Sequence, residues 1–218
     1  MPARTAAELV KRARDEVTAA ATPNLFLDRL ETGDVPRGRL VWLAGEEYHI
    51  VGSDRRSFAL LASRYPEPPA GDFFLELAQG EGQALGLLQD FTAALGLSEE
   101  DLKRYEPRPL AQAYPAYVAQ RAAFGTAAEV ALAMLANLEE WGTYCARVAE
   151  ALRSQYGFSE EAVGFFRFFS ESPPGFADRA TAVVAAGLES GDDPESIFRA
   201  ARMLHAYETE FWNSLVGK

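Results

Sequence analysis

A chain of 218 residues, 48% apolar and 24% charged, is long enough to bury a substantial core as one domain over residues 1–218. Its formal net charge of −11, with the basic residues scattered among acids, excludes a general nucleic-acid binder, because phosphate recognition needs a basic footprint. No apolar run approaches the length of a membrane span, so no membrane partner is expected, and the lone Cys145 provides no disulfide framework. The opening MPARTAAELVKRARDEV reads as a charged amphipathic helix without a secretory apolar stretch, so a cytoplasmic location is expected.

Helical periodicity dominates from end to end, and no segment alternates like a strand. A first helix is predicted over Thr5–Ala20 and a short one over Asn24–Leu30. A Gly-Asp-Val-Pro break precedes a long helix over Pro36–Ser63, with proline in its first turn. Three prolines within Tyr65–Gly71 end that helix and lead into the next, which runs through Asp72–Gly96. Ser98-Glu99-Glu100-Asp101 caps a short helix to Tyr105, and Pro107-Arg108-Pro109 introduces another over Leu110–Ala123. Gly125-Thr126 caps a helix that ends at Gly157. A phenylalanine-rich helix from Ser159 breaks at Pro173-Pro174-Gly175, and helices over Ala177–Glu189 and Asp193–Leu215 close the chain. The fold class is therefore all-α, a bundle of about seven to nine helices.

Four of these helices carry an acid inside an apolar stripe. Glu81 interrupts Phe74, Leu77, Ala84, Leu88, Phe91 and Leu95, which recur three and four residues apart on one face. Glu47 lies in the stripe Leu40, Leu43, Ile50, Asp54, Phe58, Leu61, and Glu208 in Ile197, Ala201, Leu204, Phe211, Leu215. Glu139 interrupts the small-residue line Ala128, Leu132, Leu135, Gly142, Ala146, Ala149. A carboxylate taken out of water needs a partner, a metal or a proton, so four inward acids predict a polar cavity in the bundle. Aromatic residues, among them Tyr48, Trp141, Phe169 and Phe211, supply the apolar walls of such a small-molecule site.

The chain has two histidines, too few for a histidine-rich metal centre. Glu46-x-x-His49 matches one half of a carboxylate-bridged di-iron motif, but a second forward pair is missing, and His205-x-x-Glu208 runs in reverse. His205 reads as a pocket or surface residue rather than a ligand. The histidine count excludes a histidine-rich centre and leaves an oxygen-rich one open; no metal ligand and no cofactor are assigned. There is no G-x-S-x-G motif, phosphate loop or Rossmann fingerprint, and Cys145 reads as structural.

Several segments together resemble the heme-oxygenase-like superfamily that includes TenA, PqqC and the iron-containing diiron oxidases. Phe73–Leu97 is similar to the oxidase helix in which a metal-binding Glu precedes His by seven residues; Glu81 stands at the first position and Leu88 at the second. Asn137-Leu138-Glu139-Glu140, closing at QYGFSEE, resembles the helix giving a second Glu ligand. FFRFFSESPPGF offers Phe169, Pro173 and Phe176 where the oxidases carry His-x-x-x-Asp-x-x-His. Tyr207-Glu208-Thr209-Glu210-Phe211-Trp212 resembles the closing helix of TenA, whose catalytic glutamate precedes Phe-Trp by three. Glu47-Tyr48 is similar to TenA's Asp-Tyr pair, and TenA's catalytic cysteine falls near Asn137.

The resemblance implies a small-molecule enzyme, with a homodimer by family analogy. One reading is a PqqC-like, metal-independent oxidase of a planar or conjugated metabolite, with Glu81, Glu139 and Glu208 as the catalytic residues. Glu47, Tyr48, Trp141, Phe169, His205 and Phe211 would bind its substrate. Another is a TenA-like aminopyrimidine aminohydrolase, in which Glu208 shuttles the proton. The third is a non-catalytic small-molecule-binding or regulatory protein of the same fold.

Overall fold

The computed structural model describes residues 5–217; Met1–Arg4 and Lys218, and with them the first four residues of the charged N-terminal reading, lie outside the described residues. All regular structure among these residues is helical. In chain order the helices are α1 (Ala6–Ala20), α2 (Leu25–Glu31), α3 (Leu40–Arg64), α4 (Ala70–Ala94), α5 (Glu99–Arg104), α6 (Ala113–Phe124), α7 (Ala127–Tyr156), α8 (Gly164–Ser170), α9 (Phe176–Glu189) and α10 (Pro194–Val216). That is ten among the described residues, one for each predicted segment and one above the expected count of seven to nine. None is long and apolar enough to cross a membrane.

The helix starts follow from side-chain capping. Thr5 with Glu8, Ser98 with Asp101 and Thr126 with Glu129 form reciprocal capping boxes. Asp193 accepts from the amides of Glu195 and Ser196, with Pro194 in the first turn. Gly157, at φ 72°, ends α7 in the left-handed region that glycine enters without steric cost. Two expected starts shift inward. Arg37–Arg39 forms a 3₁₀ turn ahead of α3, and residues 159–163 make turns before α8, where the Ser159 hydroxyl accepts the Ala162 amide. α6 also begins three residues late, at Ala113.

The packing places the site. α3 packs along α4 and α7 along α10. The buried apolar side chains fall into two clusters, one at each end of these four helices. On α3 the first cluster takes Phe58, Leu61 and Ala62 and the second takes Leu40, Leu43, Ile50 and Val51; Asp54 lies between. On α4 the division falls between Phe74 and Ala84, around Glu81. On α7 it falls between Ala136 and Cys145, and on α10 between Leu204 and Phe211, around Glu208. The acids thus mark the level at which the apolar core is interrupted.

Candidate functional site

A cavity of about 540 Å³ opens at that level. Its polar wall is built by Glu47 and Asp54 of α3, Glu81 of α4, Tyr114 of α6, Asn137 of α7 and Glu208 of α10. Its apolar wall includes Phe58, Phe73, Leu138, Trp141, Phe169 and Phe211. Glu76, Gln79 and Gln83 of α4 and the exposed segment Glu171–Pro174 also line the cavity. Glu47 and Asp54 stand seven residues apart, two turns on one face, so α3 presents two carboxyls about 10 Å apart along its axis.

Burial decides the chemistry of this wall. Both carboxyl oxygens of Glu47, one of Asp54 and one of Glu208 are buried with no hydrogen-bond partner in the protein. Desolvation, with Asp54 and Glu46 nearby, pushes Glu47 up to about 8. Desolvation lifts Asp54 to about 7, opposed by a hydrogen bond with Tyr114. Glu81 is driven well above the carboxylate range by burial, then by Asp54 and Glu47; Glu208 is driven likewise by burial, then by Glu140 and Glu47. Near neutral pH such a set holds both protonated and ionised carboxyls, the requirement for paired acid and base catalysis.

Among the described residues no group of three or more His, Cys, Asp or Glu is arranged to hold a metal ion. Cys145 is buried and off the cavity wall, its thiol raised by burial and by Glu47 and Glu208.

Of the residues singled out in the sequence, Glu47, Glu81, Trp141, Phe169, Glu208 and Phe211 lie on the cavity wall. Three do not. Glu139 points to solvent and meets Arg14 of α1 at 3.6 Å, its side chain 76% exposed. The small-residue face of α7 is covered by α9 at Ala128 and by the end of α8 at Gly142, while Glu139 is exposed. Tyr48, one residue past Glu47 and so about 100° around the helix, packs edge-on to His49 instead. His205 is buried behind the wall, where its Nδ1 lies 3.2 Å from Asn137 Oδ1 and 3.2 Å from Glu140 Oε2.

Asp54, Tyr114 and Asn137 complete the polar wall. Asp54 already sat in the α3 stripe, and its acid was as legible as Glu47. Tyr114 breaks no stripe and comes inward because of the turn before α6. Asn137 carries no charge, so its inward position leaves no conflict in the pattern.

Residues 25–218 match the family model described as TENA/THI-4/PQQC family. No curated protein matches the sequence. Among solved structures, the TenA homologue protein from P. horikoshii OT3 superposes with a TM-score of 0.72 at 18% identity, covering 97% of this chain and 98% of that one. A domain of unknown function with a heme oxygenase-like fold from Shewanella denitrificans OS217 gives 0.71 at 17%, covering 95% and 88%. A candidate TenA-like thiaminase from Sulfolobus solfataricus P2 gives 0.56 at 11%, covering 95% and 92%. These likenesses show a shared fold, the TenA or heme-oxygenase-like helical fold.

Proposed function

The chain belongs to the TENA/THI-4/PQQC family, and from that premise we propose that it is a TenA-like hydrolase that cleaves a C–N bond of an amino-substituted, nitrogen-rich ring. The observation that carries this reading is the meeting of four acids, Glu47, Asp54, Glu81 and Glu208, in one aromatic-walled cavity. Such a wall favours a ligand that donates hydrogen bonds, as an amino-heterocycle does. Arg167 is the one cationic residue on the wall among the described residues, and it is engaged with Glu150 and Glu160 at 3.6 Å. The aromatic residues accept the flat face of the ring.

The chemistry balances without a nucleophilic side chain. The ionised member of the Glu47–Asp54 pair takes a proton from water as its oxygen bonds to the ring carbon. The C–N bond breaks, and protonated Glu208 gives its proton to the departing amine. Water and the amino-ring become a hydroxylated ring and ammonia or an amine. Asn137, at the place that resembles the cysteine position of TenA, has no thiol, which suits direct attack by water.

Incubation of the protein with a panel of aminopyrimidines, with ammonia measured by an enzyme-coupled assay, tests the reading. Release of ammonia is expected, and Glu208→Gln should lower kcat by about 10²–10³-fold with an unchanged circular dichroism spectrum. No ammonia from any member of the panel would overturn it. The PqqC-like oxidase reading rests on the same aromatic walls and on two of the same acids, Glu81 and Glu208. Oxygen uptake with a conjugated metabolite, in the absence of amine release, would favour it instead.

A further inference from the structure

Asn137 reaches the cavity wall from α7 and is 4% exposed. Its Nδ2 donates to the Ala133 carbonyl at 2.8 Å, and its Oδ1 faces His205 Nδ1 at 3.2 Å. A main-chain carbonyl can only accept, so the NH₂ end of the amide is the end turned toward Ala133. The amide oxygen can only accept as well, so His205 Nδ1 carries a hydrogen whatever the charge of the ring. Glu140 Oε2, 3.2 Å from the same nitrogen, demands that same hydrogen. The other oxygen of Glu140 accepts from the Tyr144 hydroxyl at 3.0 Å. His205 is 5% exposed, and its Nε2 has no partner in the protein. A buried row of side chains thus fixes one feature, the direction of the Asn137 amide.

That direction has a consequence at the wall. Nδ2 has two hydrogens and Ala133 takes one, which leaves the second for a ligand. We propose that Asn137 is a fixed hydrogen-bond donor of the cavity and determines specificity for a ligand acceptor, such as a ring nitrogen or a carbonyl oxygen. His205 and Glu140 are positioning residues that act through it. Together with the acids, which accept, this donor reads an amidine-type edge, in which a ring nitrogen stands beside an amino group. The inference rests on the cavity being the ligand site, as proposed above, and names the ligand edge that it selects.

Two experiments decide it. In protein with ¹⁵N-labelled imidazoles, His205 is distinguished from the other histidine by comparison with His49→Gln. Its Nδ1 is expected to be protonated, and an unprotonated Nδ1 would overturn the clamp. Calorimetric titration then compares 2-aminopyridine, which has a ring acceptor beside its amine, with aniline, which has none, at an alkaline pH where both are uncharged. The wild type should bind 2-aminopyridine at least about tenfold more tightly. That preference should vanish in Asn137→Ala and Asn137→Asp and shrink in His205→Phe, while aniline binding stays nearly constant. A preference that survives Asn137→Ala would overturn the donor role. If neither probe binds the wild type, the ligand-site reading and the selectivity role fall together, and the imidazole spectrum still decides the clamp.

Discussion

Three glutamates of this chain meet three different fates, and the difference lies in their partners rather than in their chemistry. Glu46 is wholly buried and saturated: it accepts from Tyr105 Oη at 2.9 Å, from the Arg108 amide at 2.8 Å and from Gln112 Nε2 at 2.6 Å. Glu139 stands in solvent beside Arg14. Glu47 is as deeply buried as Glu46, but both its oxygens lack a protein partner. The unsatisfied acid is the one suited to chemistry, because its desolvation is offset by no structural bond. Glu139→Gln should therefore leave activity unchanged and shift stability by less than about 0.5 kcal/mol, since exposed pairs contribute little. Glu47→Gln should reduce turnover by about 10²-fold or more and leave the fold intact. Steady-state kinetics and urea unfolding of the two variants check both outcomes.

At the scale of elements, the turn before α6 is what brings Tyr114 to the cavity. Glu46 ties Tyr105, Arg108 and Gln112 together, and the Arg108 guanidinium also lies 3.3 Å over the Trp42 ring. Gly45 leaves room for the Tyr105 ring, since a Cβ there would meet that ring at 2.5 Å. Two results are expected. Glu46→Ala strands three donors and should cost about 2–4 kcal/mol, with faster amide exchange at Arg108. Gly45→Ala should cost about 1–3 kcal/mol through overpacking. Denaturant titration and native-state hydrogen exchange measure both. If instead Glu46→Ala proved as stable as the wild type, the turn would not depend on this carboxylate.

Over the whole molecule, the acids couple folding to protons. Glu47 rises from its ordinary 4.5 to about 8 and Asp54 from 3.8 to about 7, and Glu81 and Glu208 move the same way. A carboxyl whose folded pKa exceeds its unfolded value binds more protons in the folded state. Its contribution is complete below the ordinary carboxylate range and is lost as pH climbs through the folded pKa. Stability should therefore fall from about pH 4 to about pH 8 by a few kcal/mol, lowering Tm by roughly 10 °C in a chain of this size. Glu47→Gln should flatten that slope and raise Tm on the alkaline side. Calorimetric scans across this range test the sign; a Tm that rises toward alkaline pH would contradict the burial of these acids.

The helices were legible because the period of apolar residues and the capping pairs Thr5–Glu8, Ser98–Asp101 and Thr126–Glu129 are local signals. The inward turn of Glu47, Glu81 and Glu208 was legible for the same reason: each acid conflicts with its own stripe. On α7 the same rule chose Glu139 and was corrected, because a line of small residues shows that helices approach but not where their cover ends. Tyr48 and His205 needed a further distinction, between lying near the wall and lying on it. Sequence by itself determined the all-helical architecture and most of the acids at the interrupted level of the core, since both depend on spacing along one chain. Tertiary structure alone decided that Tyr114 and Asn137 complete the wall, that Glu139 faces water, and that His205 lies behind the wall against Asn137. Those outcomes depend on which helices cover each turn, and contacts between helices distant in sequence leave no mark on the periodicity of either one.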